Sequence, residues 1–311
     1  MSEAERISLL NSSMSSQLGT AVVVTPWRSG VDFFVDRVAG LERDLVVRSP
    51  RVERLATSYD GVIDNGEVLA REQEALRLAR EHGVKAPKTF EFFRSPDGIE
   101  ASWLIEEYVD HDDGEPNETI MVQLGCQTRR LHGIVPAGDL MHRNNSWGTF
   151  VGSRLRERLV AAEPYVNFGT VAIDMLIERS LPLFEARESD SLSLLHMDLR
   201  LTNICIKDGH LVALIDFANC IVGDPLFELA RTRNYGLLTD QFLAGYGMDA
   251  ATLNQNRLLL DLYEMDTAAL LTVVGIEEID APDLHATQRA RLTDLMGSVT
   301  DVRGASGVAR D

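Results

Sequence analysis

The chain has 311 residues, 45% of them hydrophobic and 25% charged, and a formal net charge of −18. Its length suits one two-lobed domain or two small ones, and its composition is that of a globular protein with a full core. The acidic balance argues against nucleic acid or an anionic membrane as partner, since both are met by basic patches; it suits a cationic small molecule, or plain solubility.

Cys126, Cys205 and Cys220 are unevenly spaced and lie in apolar contexts. That usage predicts buried free thiols in a reduced, cytoplasmic protein, and neither a disulfide framework nor a zinc site. No run reaches the length of a transmembrane helix. The opening MSEAERISLLNSSMSSQL lacks the apolar core of a secretory signal and reads as a short helix or a loose lead-in.

Residues 20–25 (TAVVVT) are β-branched and predict a strand, residues 26–30 (PWRSG) a turn, and 31–38 and 44–48 two further strands. Residues 65–82 predict a helix. Its apolar stripe includes Val68, Leu69, Ala75 and Leu76, and Gly83 stops it. Strands are expected at 89–93 and 101–109, with a turn at 95–98 between them. The acidic connector DHDDGEP at 110–116 marks a boundary. The expected domains are therefore 1–109, β-rich, and 110–311, mainly helical, in an α+β protein. Within the second, helices are expected at 118–132, 151–162, 171–186, 226–233, 240–246, 250–274 and 281–296, with a loop at 136–147 and a frayed tail from Gly297.

The stretch from Leu194 to Ala230 carries the chemistry. His196, Asp198, Arg200 and Asn203 share one loop, a hairpin turning at Lys207-Asp208-Gly209-His210 follows, and Asp216 ends its second strand. Moving a nucleotide γ-phosphoryl group to a hydroxyl needs positioning, a proton acceptor and cations against the phosphates. Asp198 suits the acceptor role. Asn203 and Asp216 are hard oxygen ligands of the kind Mg²⁺ takes. Arg200, two residues past Asp198, is a permanent cation within reach of a γ-phosphate. His196 reads as a residue that packs and holds the loop, and Asp224 as a loop-fixing carboxylate.

The H-x-D-x-x-x-x-N loop, the I-D-F after the hairpin and the block Gly223-Asp224-Pro225-Leu226-Phe227-Glu228-Leu229-Ala230 resemble the aminoglycoside phosphotransferase and choline kinase family. Two positions depart from its usual pattern: Met197 stands for Gly and Glu228 for Asp. The resemblance implies a protein-kinase-like two-lobed fold, ATP or GTP as co-substrate, Mg²⁺, and a small hydroxylated acceptor. It also assigns roles upstream. Arg48, closing the third strand, would replace the usual Lys on the α- and β-phosphates. Glu72, or else Glu74, on the following helix would pair with it. Ser29 and Gly30 stand where the family covers the phosphates, although the pair also reads as an ordinary hairpin turn. Glu107 and Val109 fall in the segment whose backbone would meet the base.

On the acceptor side, Asp261 and Glu264 are one turn apart on a helix with Asp266 nearby, and Glu277, Glu278, Asp280 and Asp283 follow. Singly each is a solvated acid; together they point to a cationic or amino-sugar acceptor. The first expectation is therefore an antibiotic kinase acting on compounds such as aminoglycosides. A metabolic kinase for choline, an amino alcohol or a sugar, or a macrolide or nucleoside-antibiotic kinase, is the alternative within the class. A nucleotide-binding pseudokinase is the alternative outside it.

Overall fold

The computed structural model describes residues 2–96, 101–112, 114–136, 146–188 and 192–305. In chain order its elements are α1 (Glu3–Leu18), β1 (Val23–Ser29), β2 (Phe33–Ala39), β3 (Leu45–Pro50), β4 (Arg54–Thr57), β5 (Gly61–Asp64), α2 (Asn65–Glu81), β6 (Thr89–Phe93), β7 (Trp103–Glu107), α3 (Glu118–Leu131), α4 (Trp147–Val166) and α5 (Thr170–Glu185). They continue with β8 (Ser193–Leu195), β9 (Ile204–Lys207), β10 (His210–Leu214), β11 (Ile221–Gly223), α6 (Pro225–Asn234), α7 (Asp240–Tyr246), α8 (Ala250–Gln255), α9 (Arg257–Glu277) and α10 (Pro282–Ala305).

These form two compact units. The first comprises residues up to 56, 62–120 and 201–220; the second comprises 57–61, 121–200 and 221 onward. The expected single division at 109/110 thus differs from the observed one, because the β9–β10 hairpin belongs with the first unit. Asp112 forms a β-bridge with Ile206, and the Leu214 amide donates to the Lys85 carbonyl at 2.8 Å.

The first unit is built on an antiparallel five-stranded sheet in the order β1-β2-β3-β7-β6. Side chains alternate between its faces. Leu45, Val47, Trp103 and Ile105 point to one face, where Leu10 and Met14 of α1 cover them. Leu104 points to the other, against Val68 and Leu69 of α2 and Phe33 of β2. The same parity sends Arg48 and Glu106 to the α2 face. Register sets Arg48 opposite Leu104 and Val46 opposite Glu106, so the two charged residues are diagonal neighbours. α1 is a full helix, not a loose lead-in. Ser2 and Glu5 close a capping box, and Arg6 forms a buried ion pair with Asp36 at 2.5 Å.

β1 runs through the expected turn at 26–30. It is an edge strand, where Pro26 costs no ladder bond to a further strand, and a bulge between Pro26 and Arg28 absorbs the irregularity. The reversal falls after Ser29, closed by the Gly30 amide on the Phe33 carbonyl at 2.8 Å. The β4–β5 hairpin has no counterpart in the sequence expectation. The expected turn at 95–98 extends beyond the described residues, as does most of the expected loop at 136–147.

The second unit is mostly helical. Trp147, Phe184, Phe227 and Tyr263 are fully buried together. Phe227 and Tyr263 meet edge to face at 5.1 Å, and the Trp147 indole N–H donates to the Tyr263 hydroxyl at 3.0 Å. Gly223 is required here, since a Cβ would lie 2.5 Å from the Trp147 ring. Three expectations shift. α4 starts at Trp147, capped by Ser146. The expected helix 250–274 breaks at Asn256 into α8 and α9. The expected frayed tail is helical through Ala305. Among the described residues no helix is long and apolar enough to cross a membrane.

Candidate active-site residues

In the first unit, Arg48 gathers the groups that the family resemblance places around the nucleotide phosphates. Its Nη2 donates to Asp216 Oδ1 at 2.7 Å, a contact 168 residues away along the chain. Its Nε lies 3.2 Å from Glu72 Oε2 in an ion pair whose N–H is not directed at the carboxylate. Glu74 pairs instead with Arg77 on the same helix, which settles the choice between the two acids. Glu106, absent from the sequence-based set, completes the group and is buried. Its signal was its parity with Leu104 in an otherwise apolar strand.

Three carboxylates thus surround one guanidinium. Burial works against the charge of Arg48, but Asp216, Glu72 and Glu106 outweigh it and hold the guanidinium firmly protonated. Burial, with added repulsion from Glu106 and Asp216, drives Glu72 well above the usual carboxylate range despite Arg48. Glu106 is pushed up to about 7, mainly by burial, against the pull of Arg48.

Asp216 sits at φ 66°, in the left-handed region, immediately before a 3₁₀ turn at Phe217–Asn219 whose Phe217 is fully buried. Asn203 is also buried, and its carbonyl accepts from the Ile215 amide at 3.0 Å, which ties it to the residue preceding Asp216. These donors fit Mg²⁺. Both are hard oxygen ligands, the carboxylates around Arg48 exceed the cations, and Glu106 leaves a buried oxygen without a hydrogen-bond partner. Among the described residues no cluster of three or more His, Cys, Asp or Glu side chains forms a self-sufficient cage. A site of two protein ligands completed by phosphate and water is the mode Mg²⁺ prefers.

Elsewhere the expected nucleotide contacts are partly engaged. The Gly30 amide holds the β1–β2 turn, and its carbonyl accepts from Arg51 Nε at 2.9 Å. Ser29 is the last residue of β1, so this pair serves the hairpin first. The Glu107 amide donates to the Lys88 carbonyl at 2.8 Å, and the Val109 carbonyl accepts from His111 Nδ1 at 2.8 Å.

In the second unit, Asp198 is buried and held by side chains from two directions. Arg200 Nε lies 3.0 Å from its Oδ2. Tyr235 donates to its Oδ1 at 2.9 Å, and Arg231 Nη2 lies 3.4 Å from the same oxygen. Arg231 and Tyr235 also escaped the sequence reading, since their distance from Asp198 along the chain hides the contact.

His196 is fully buried, and its Nδ1 accepts from the Asp198 amide at 3.2 Å, the loop-holding role expected of it. Glu228 accepts from the His196 amide at 3.0 Å, the Met197 amide at 2.5 Å and His132 Nε2 at 2.8 Å. The two positions that depart from the family pattern therefore touch each other. Met197 keeps the backbone its usual glycine would take, at φ 62°. Asp224 caps α6 at the Leu226 amide and pairs with Arg187 at 2.8 Å, a fixing role as expected.

Three of the acids read as an acceptor surface are not on the surface, whereas Glu277, Glu278, Asp280 and Asp283 are exposed. Asp261, Glu264 and Asp266 are buried, each beside arginines. Arg233 lies 2.7 Å from Asp261 and also binds Glu264, which Arg291 holds at 2.6 Å; Asp266 pairs with Arg158 at 2.7 Å and Arg154 at 3.2 Å. A buried carboxylate must be neutralised, and these arginines do so. Glu277 and Glu278 bond Tyr165 and Tyr59. Cys205 and Cys220 are buried, Cys126 only partly, and all three are free thiols; burial pushes the Cys205 thiol up to about 11 against the charge of Arg28.

Residues 23–263 match the phosphotransferase enzyme family. No curated protein sequence matches the chain. Among solved structures, one from Ralstonia eutropha JMP134, provisionally described as an aminoglycoside phosphotransferase, is 13% identical with a TM-score of 0.65, over 94% of this chain and 98% of that one. Another, from Haemophilus somnus 129PT and provisionally described as a fructosamine-3-kinase, is 14% identical with a TM-score of 0.63, over 93% and 96%. A thermostable variant of the aminoglycoside phosphotransferase APH(4)-Ia, bound to ADP and hygromycin B, is 13% identical with a TM-score of 0.62, over 93% and 98%. At that identity the structures establish the protein-kinase-like fold, and it is the family match across most of the chain that makes it a member of the phosphotransferase enzyme family, a small-molecule kinase.

Proposed function

We propose that the protein transfers the γ-phosphoryl group of ATP or GTP to a hydroxyl of a small molecule, with Asp198 as the base. The observation that carries the reading is the convergence of Arg48, Glu72 and Asp216 from three distant stretches onto one face of the sheet. In this reading Arg48 grips the α- and β-phosphates, Glu72 orients it, and Asn203 and Asp216 hold Mg²⁺. Bound there, Mg²⁺ would neutralise phosphate charge. Glu107 and Val109 meet the base through their backbones, and Ser29 and Gly30 lie beside the phosphates. Asp198 takes the proton of the acceptor hydroxyl as its oxygen attacks the γ-phosphorus, and Arg200 meets the γ-phosphate. Residues 199–202 join Asp198 to Asn203, which limits their Cα separation to about 18 Å.

For the acceptor, the first candidates are hydroxylated, amine-bearing antibiotics such as aminoglycosides, which would make this a resistance kinase working in the reducing cytoplasm. The family match supports this class. One observation favours the second reading, a metabolic kinase for a sugar or an amino alcohol: arginines already neutralise Asp261, Glu264 and Asp266, so these acids are not available to a polycation. The test is mass spectrometry of the purified protein with Mg²⁺, ATP or GTP and a panel of aminoglycosides, macrolides, nucleoside antibiotics, choline and sugars. A phosphorylated product absent with Asp198→Ala fixes reaction and acceptor together. Activity of Asp198→Ala equal to wild type would remove the assignment of the base.

A further inference from the structure

We infer that the acceptor is a small hydroxylated oxyanion, a carboxylate or a phosphate, whose charged end is held by Arg154 while its hydroxyl meets Asp198. The inference rests on the phosphotransfer reading and deepens it by naming the class of acceptor.

The chain carries 48 acidic residues against 30 lysines and arginines, yet the balance reverses around Asp198. Arg154 and Arg158 of α4, Arg231 of α6 and Arg200 are four cations, and the carboxylates they pair with are three, Asp60, Asp198 and Asp266. All of these residues belong to the second unit. Arg158 already serves two of the three acids. It is buried and donates to Asp60 through Nε at 3.1 Å and Nη2 at 2.7 Å, and to Asp266 through Nη1 at 2.7 Å. Asp198 has Arg200 and Arg231 beside it.

Arg154 is therefore the cation in surplus. Its Nε donates to Asp266 at 3.2 Å, on a carboxylate that Arg158 also holds. Its Nη1 lies 4.0 Å from Asp60, beyond hydrogen-bond reach, and neither Nη group has a hydrogen-bond partner among the described residues. The side chain is 20% exposed and both Nη groups reach solvent, so their N–H donors are open to a small ligand. Burial and the charges of Arg158 and Arg231 outweigh Asp266 and Asp60, and pull the Arg154 guanidinium below its ordinary pKa. It remains a cation at neutral pH, and an arriving anion offsets the repulsion.

The place suits a substrate that also reaches Asp198. The Arg154 guanidinium carbon lies 6.0 Å from the Phe227 ring centre. Arg231 follows Phe227 by four residues on α6, which sets the two on one face about 6 Å apart along the axis. Arg231 Nη2 in turn lies 3.4 Å from Asp198 Oδ1. An oxyanion on Arg154 would thus sit about one helical turn from the hydroxyl that Asp198 deprotonates, the span of a small hydroxy acid or sugar phosphate. The guanidinium fork takes either oxyanion bidentately, and the oxyanion makes and breaks no bond in the transfer. The same cations repel the amines of a polycation.

The test uses matched acceptors that differ chiefly in charge: glycerol, glycerate and glycerol 3-phosphate; glucose, gluconate and glucose 6-phosphate; and an aminoglycoside for the opposite sign. Expected with Mg-ATP or Mg-GTP is a kcat/KM for a carboxylate or phosphate member at least tenfold above its neutral counterpart, and a fall in that ratio of at least tenfold in Arg154→Gln. Which charged member is used tells carboxylate from phosphate. Preference for the neutral member or the aminoglycoside, or a ratio that Arg154→Gln leaves unchanged, overturns the inference and leaves the phosphotransfer reading standing. If no member is phosphorylated, sulfate is titrated by calorimetry into protein saturated with Mg-ADP. Binding weakened at least tenfold in Arg154→Gln supports the inference, and equal binding, or none, overturns it. If Arg154→Gln does not fold, Arg154→Lys keeps the charge but loses the fork and should lower the ratio, or the sulfate affinity, at least threefold; no change overturns the inference. Phosphate release from Mg-ATP without acceptor that is equal in wild type and Asp198→Ala would overturn the phosphotransfer reading and this inference with it.

Discussion

Glu228→Ala tests how the loop before Asp198 is held. The carboxylate is 1% exposed and accepts three hydrogen bonds, from the His196 amide at 3.0 Å, the Met197 amide at 2.5 Å and His132 Nε2 at 2.8 Å. A carboxylate only accepts, so all three partners are donors, and the substitution strands all of them in the interior. Each buried donor left unpaired costs about 1–3 kcal/mol, part of it recovered by relaxation and entering water. Breaking a buried charged pair from one side costs about 3–5 kcal/mol. The two routes agree on a loss of about 3–5 kcal/mol, a large share of a typical stability of about 5–15 kcal/mol. Burial opposes the charge of Glu228, but the His132 hydrogen bond and charge, with His196, hold its pKa below the usual value. A depressed carboxylate stabilises fully above its unfolded pKa of about 4.3, and that contribution vanishes as pH falls through the folded value. The deficit of Glu228→Ala is therefore expected at pH 7 and should shrink as the solution is acidified below pH 4. Urea unfolding followed through Trp147, buried in the same unit, measures it. A deficit under 1 kcal/mol at pH 7 would refute the claim that Glu228 anchors the loop.

Two further perturbations address the Arg48 group. Arg48→Lys keeps the charge but loses the fork that reaches both Glu72 and Asp216, and should lower kcat/KM for the nucleotide at least tenfold in steady-state assays; a change under twofold would dissociate Arg48 from the phosphates. Glu106→Gln should stabilise the protein at high pH. With its folded pKa near 7, above the unfolded value of about 4.3, the folded state holds the extra proton between these pH values, so stability falls across that window and the penalty is complete above it. Urea titrations should find Glu106→Gln more stable by about 1–3 kcal/mol at pH 8 and equal to wild type at pH 4; equal stability at both pH values would mean that Glu106 carries no buried charge.

The parts that were legible from sequence are those fixed by local geometry or strand parity. A tight hairpin places Asp216 relative to the loop carrying Asn203, so spacing alone announces the pair. The family resemblance with strand and helix order points to Arg48 and narrows its partner to Glu72 or Glu74, while Glu106, in the strand expected at 101–109, shares the parity of Leu104 and has no side-chain role in the sequence reading. The errors came from contacts distant along the chain. Asp261, Glu264 and Asp266 look like a solvated acidic face until Arg233, Arg291, Arg154 and Arg158 arrive from other helices. Tyr235 and Arg231 lie 37 and 33 residues from Asp198. Pro26 reads as a turn residue because its strand is an edge that tolerates it. The β4–β5 hairpin is too short to show alternation, with four residues in each strand. Gly297 suggests an end where helix α10 continues, since packing overrides one residue's propensity.

If Asp198 is the base proposed for phosphoryl transfer and takes no part in holding the nucleotide, its loss separates turnover from binding. Asp198→Asn, which keeps the shape and removes the base, tests it when nucleotide affinity by calorimetry and phosphate release are measured on the same preparation with Mg²⁺. Expected are an affinity within about threefold of wild type and a turnover at least about 100-fold lower. Undiminished turnover, or a loss of activity wholly explained by lost nucleotide binding, would contradict it.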